Sequence, residues 1–182
     1  HNPVGFFYAR ITRRRVARFN GVIESATALG TGINSNSATT GGLFSSLVLT
    51  ATSSFRIRRI TLGVRAGTGA PTSQQVSVAA IRCTARGTQT TTQALNKLDP
   101  NSFATNVALD SAWSTTPTLA GTALANYSYE VSFNTQSGVD LPWELLEELY
   151  TSGASGNGIA FFNIGNALPT AHLYAVSFEI EE

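Results

Sequence analysis

FRIRRITLGVR, residues 55–65, is the stretch that decides the fold. Phe55 and Ile57 alternate with Arg56 and Arg58, and the apolar set then resumes one position late at Ile60, Leu62 and Val64. Alternation with a period of two marks a strand with one buried face, and a one-residue slip in it marks a β-bulge at Arg58-Arg59. Val76, Val78 and Ala80 followed by Ile81 and Cys83 show the same slip, which predicts a second bulge. Bulged, bent strands are what sandwiches and barrels require.

Working outward, Leu43 to Thr52 reads as a strand. Tyr127, Tyr129, Val131 and Phe133 alternate cleanly with polar residues, as do Tyr174, Val176, Phe178 and Ile180. Ile159 to Ile164 is a short apolar run between Gly158 and Gly165. Nearer the start, VARF-NG-VIES (16–25) places Asn-Gly between two short β-prone runs, the strongest local hairpin signal, with Phe19 and Val22 facing each other. Residues 1–24 thus read as a basic arm and hairpin, and 25–42, rich in Gly, Ser, Thr and Asn, as a flexible loop. One helix is expected over 141–150: Asp140 caps it, Pro142 suits its first turn, and Glu144, Glu147 and Glu148 share a face opposite Leu145, Leu149 and Tyr150. About eight strands, one short helix and no βαβ alternation predict an all-β fold, an antiparallel β-sandwich of jelly-roll type. It forms a single domain over residues 1–182.

The net charge of +1 hides two halves of opposite sign. Residues 1–96 hold eleven Arg and one Glu (11 − 1 = +10), and residues 97–182 hold one Lys and ten Asp or Glu (1 − 10 = −9). Arginine favours planar, bidentate pairing, so the split predicts contact surfaces met by acidic copies of the same chain or by nucleic acid. No apolar run approaches the ~18 residues of a membrane span, and no signal-peptide pattern precedes the first strands. The expectation is a soluble chain with no membrane contact.

Few residues offer catalytic chemistry. Apart from His1 the only histidine is His172, in LPTAHLY, which reads as a turn or packing residue. The lone Cys83 forms no internal disulfide, and no HxH, HExxH or CxxC spacing points to zinc. Gly153-Ala-Ser155-Gly-Asn157 lacks the final Gly of a nucleophile elbow and reads as a loop. Phosphate-cradling motifs and cofactor signatures are missing from the sequence, and Asp99, Asp110 and Asp140 sit in turn-like contexts. The sequence therefore predicts no enzyme, no metal and no cofactor. The candidate site is an interface: Arg10, Arg13, Arg14, Arg15 and Arg18 on the arm, and Glu144, Glu147 and Glu148 on the acidic helix face. In an extended strand the arginines alternate between two faces, which favours protein over nucleic acid as their partner.

GVRAGTGAPTSQQ (63–75), TARGTQTTTQALNKLDPNS (84–102), AWSTTPTLA (112–120), FNTQSGVDLPWELLEE (133–148) and NIGNALPTAHLYAVSFEIEE (163–182) resemble a family of small virion structural proteins of tailed bacteriophages and prophages. The resemblance spans residues 55–182 and supplies no catalytic residues. It implies a place in the virion, as a capsid, cement or head-decoration subunit that forms homo-oligomers and meets other virion proteins. Two other readings stand beside it. One is a carbohydrate-binding jelly-roll module of a phage adhesion structure, using Trp113, Trp143, Asn157, Asn163 and Asn166. The other is a coat protein contacting nucleic acid through the Arg arm.

Overall fold

The computed structural model describes residues 16–25, 42–66, 70–142, 149–169 and 171–182. Two antiparallel sheets pack face to face. The first is built from β1 (Arg18–Glu24), β3 (Ser53–Ala66), β6 (Asn96–Lys97), β10 (Val139–Pro142), β11 (Leu149–Gly153) and β13 (His172–Glu181). The second holds β2 (Leu43–Leu49), β4 (Gln75–Ala85), β5 (Thr88–Gln93), β7 (Val107–Thr115), β8 (Thr118–Leu119), β9 (Tyr127–Asn134) and β12 (Gly158–Asn163).

The order across the first sheet is β10–β3–β13–β1–β6, with β11 continuing beside β3. Across the second it is β5–β7–β2–β12–β4–β8, with β9 also on β4. Along the chain β1, β2, β3 and β4 alternate between sheets, β9 stays beside β4, and β10–β11, β12 and β13 alternate again. This is jelly-roll winding. Residues 88–119 supply β5 to β8. The Thr and Gln side chains of β5 suit exposed edge positions; β6 pairs with β1 at Phe19 and Asn20, and β7 covers the edge of β2. Covering edges protects a sandwich from uncontrolled strand pairing.

Between the sheets, Phe19 and Ile23 of β1, Ile57 and Ile60 of β3, and Phe178 and Ile180 of β13 meet Leu47, Val78, Phe161 and Leu109. Phe44 stacks on Tyr174 at 4.6 Å between ring centroids, and Phe161 meets Phe178 at 5.0 Å. A smaller cluster lies on the outer side of the second sheet, where Leu43, Ile81, Ala160 and Phe162 pack with Trp113, Leu119, Tyr127 and Ile164.

The bulge in β3 is present: Arg59 pairs with Glu179 and Ile57 with Ile180, leaving Arg58 as the extra residue. The one expected in β4 is not. β4 pairs with β12 in unbroken register from Val78 to Cys83, and the irregularity lies in β9, where Ala80 and Ile81 face Tyr129 and Tyr127. The apolar set changes parity because Val76, Val78 and Ala80 enter the main core while Ile81 enters the outer cluster. A strand buried on both faces mimics a slip.

Three further expectations are corrected. Asn20-Gly21 is no hairpin turn: β1 runs straight through it and pairs with β13 from Arg18↔Glu181 to Glu24↔Ala175. Phe19 and Val22 consequently lie on opposite faces, one buried and one exposed. Gly21 is placed for close approach, since a Cβ there would come within 2.6 Å of Leu95 and Leu109 methyls. Of the expected helix, residues 141–142 and 149–150 are strand, because β10 and β11 both pair with β3; 143–148 lie outside the described residues. Of the expected loop, Ser25 is fixed: its N–H donates to the Tyr174 carbonyl and its Oγ accepts from the Tyr174 N–H, both at 3.0 Å. Residues 26–41 lie outside the described residues.

The Tyr174 hydroxyl is fully buried without a hydrogen-bond partner, and burial pushes the phenol pKa up. An unmade hydrogen bond is a cost, so Tyr174→Phe is expected to leave stability unchanged or raise it by up to about 1 kcal/mol in urea denaturation. A loss greater than that would reveal a partner for the hydroxyl.

Candidate interaction face

The winding explains the split charge. β13, which carries Glu179 and Glu181, is threaded between β1 and β3, which carry the arginines. Arg18 pairs with Glu179 at 3.6 Å and Arg58 with Glu181 at 3.4 Å. Arg59 grips Asp140 through two nitrogens, Nε at 2.8 Å from Oδ1, and Thr61 Oγ1 donates to the same oxygen at 3.1 Å. Arg65 meets Glu24 at 2.7 Å. Three of these pairs, Arg18–Glu179, Arg58–Glu181 and Arg59–Asp140, join the opposite halves inside one subunit, whereas Arg65 and Glu24 both belong to the first half.

These pairs lie on the outward side of the first sheet, because their residues alternate with the core positions of β1, β3 and β13. The hydrogen bond from Arg59 holds the Asp140 carboxyl below its ordinary pKa, and the same bond raises that of Arg59. Asp140 is thus a strand residue and not a helix cap. Between the charged pairs the face is shallow and its side chains small. One cavity of about 220 Å3 is lined by Asn20, Arg59, Thr61, Leu98, Ser177 and Glu179, with Phe178 beneath. A second, of about 510 Å3, takes in Val22, Thr61, Gly63, Gly138, Ala175 and Ser177. Thr61 and Ser177 line both. Val22 and Leu98 stand at their margins, 57% and 53% exposed.

Of the interface residues singled out from sequence, Arg18 alone is described, on this face. Arg10, Arg13, Arg14, Arg15, Glu144, Glu147 and Glu148 lie outside the described residues, as does Trp143. Sequence reading missed Thr61, Gly63, Ala175 and Ser177. The signal was present in the small residues alternating with Tyr174, Val176 and Phe178, but their meaning depends on which strands flank β13.

Other polar groups serve the fold. Asp110 is not in a turn: it is fully buried on β7, where it accepts from Arg86 Nε and Nη2, each at 2.8 Å, and from Thr92 Oγ1 at 2.6 Å. That bond raises the Arg86 pKa. The Glu182 carboxylate accepts from Ser53 and Thr105 hydroxyls and from both the backbone and side-chain nitrogens of Asn106, tying the end of β13 to the start of β7. His172 is buried and its Nε2 accepts from the Thr72 N–H at 3.3 Å. Burial pushes the Cys83 thiol up to about 12, which suppresses the reactive thiolate. Trp113 packs against the outer cluster with its indole nitrogen buried. Asp99 does sit in a turn, accepting from the Asn101 N–H.

Among the described residues no His, Cys, Asp and Glu side chains are grouped to hold a metal ion, and no helix is long and apolar enough to cross a membrane. No protein-family model matches the chain, and neither a curated protein nor a solved structure matches it.

Proposed function

We propose that this chain is a virion structural protein, a bacteriophage capsid, cement or head-decoration subunit that acts through contacts with copies of itself and with other virion proteins. The observation that carries the reading is that the resemblance over residues 55–182 falls on a jelly roll whose buried polar groups are used to join strands. Asp110, His172 and Glu182 each bind neighbouring elements of the fold. A sandwich with a broad outward sheet face suits a repeated unit in a symmetric assembly. On this reading the arginines at 10, 13, 14 and 15 and the glutamates at 144, 147 and 148 meet neighbouring subunits. The part-buried setting of Trp113 weakens the sugar-binding alternative by removing one of its two tryptophan platforms.

Quantitative mass spectrometry of purified particles whose genome encodes this chain tests the proposal. The expected result is a count on the order of hundreds of copies per particle, as symmetric shells and their decorations require. Absence from the particles would overturn the reading, and about a dozen copies would move the subunit to the portal or tail.

A further inference from the structure

We propose that the outward face of the first sheet is the surface on which a second copy of this chain docks. The inference rests on the self-assembly reading and specifies the surface responsible.

The face has the apolar content of a contact site. Val22 and Leu98 are more than half exposed on a sheet whose other face is the core. Beside them, the adjoining cavities are floored by small side chains at Gly63, Ala175 and Ser177, leaving room for protruding side chains of a partner. Size agrees as well. The 42 residues of this sheet's six strands span roughly 670 Å2 at ~4.8 Å between strands and ~3.3 Å per residue. A specific interface buries about 800 Å2 per partner.

Charge selects the occupant. Among the described residues, the four arginine–carboxylate pairs of this face cancel. Nucleic acid binding depends on uncompensated Lys and Arg, whereas here the arginines are interleaved with acids. Among the described residues no exposed aromatic ring lines either cavity, so a sugar finds no stacking platform within them, and the exposed Tyr150 lies on β11 beside β3. A second copy brings an equally balanced face, and its approach meets no one-signed repulsion.

The test is sedimentation velocity on the full chain over a wide concentration range, with Val22→Asp and Ala175→Arg as separate variants. Both side chains leave the sheet outward, so each variant is expected to melt within about 2 °C of wild type, as surface substitutions do. Wild type is expected to self-associate, and each variant to weaken that association by roughly 30-fold or more, the effect of a central contact residue. Association unchanged in Val22→Asp, the more exposed site, would overturn the assignment of the face while leaving self-assembly intact. A wild type that stays monomeric would overturn it too, and abundance in particles, measured separately, decides whether the structural reading survives. Binding of a dextran or a DNA duplex that Val22→Asp abolishes, with wild type monomeric, would give the face to that ligand and overturn the proposal.

Discussion

Replacing Arg86 with Ala is expected to lower the unfolding free energy by about 3–5 kcal/mol, the cost of leaving a buried charge without its partner. Asp110 has no exposure to water, and Arg86 supplies two of the three hydrogen bonds to its carboxylate. Without the guanidinium, Thr92 is the one side-chain donor left to Asp110 among the described residues. For a chain of this size each kcal/mol moves the melting temperature by roughly 2–4 °C, so the loss is visible in a thermal scan as well as in urea. The double variant Arg86→Met with Asp110→Leu is expected to recover most of the loss, since an apolar pair of similar volume removes both the charge and its desolvation penalty. Arg65→Ala, by contrast, breaks an exposed pair with Glu24 and is expected to change little. A loss of less than about 1 kcal/mol for Arg86→Ala would mean that water reaches Asp110 and solvates it.

Gly158→Ala is expected to cost about 3 kcal/mol or more, at the upper end of the range for overpacking. Gly158 lies in β12 between Val48 of β2 and Cys83 of β4. A Cβ there would fall on the carbonyl oxygen of Leu47 and come within 2.8 Å of Val48 Cα. Both are main-chain atoms of a central strand, so relief requires pulling β2 away from β12 and lengthening ladder hydrogen bonds. Gly21→Ala is the informative comparison. Its new methyl would meet the ends of Leu95 and Leu109, side chains that can turn aside, and it is expected to cost about 1 kcal/mol. Urea denaturation of the two variants separates a backbone obstacle from a side-chain one. Equal losses would mean that β2 yields as easily as a leucine methyl.

Alternation within a single strand is a local property, and it was legible. The alternate residues from Tyr129 to Phe133 and from Tyr174 to Ile180 face the core from β9 and β13 as their period requires, while the irregularity in β9 sets Tyr127 in the outer cluster, and the late return of the apolar set after Ile57 located the bulge at Arg58. All-β class and a sandwich core follow from such patterns, because which side chains alternate is written in the order of residues.

What the sequence alone could not determine is what lies beside each strand. Asn20-Gly21 has the local signature of a turn, but pairing with β13 and the space beneath Leu95 and Leu109 make it the middle of β1. Ile81 looked like a slipped inward residue until a second cluster covered the outer side of its sheet. Glu147 and Glu148 invited a helix up to Tyr150, yet β11 beside β3 takes Leu149 and Tyr150 as strand. The oppositely charged halves pointed to a partner, and the jelly-roll winding pairs some of those charges within the subunit by setting β13 between β1 and β3. The physical reason is the same in each case: propensity and periodicity act over a few neighbouring residues, whereas pairing, burial and charge compensation join positions far apart in the chain, as Arg18 joins Glu179 and Leu149 joins Ile57.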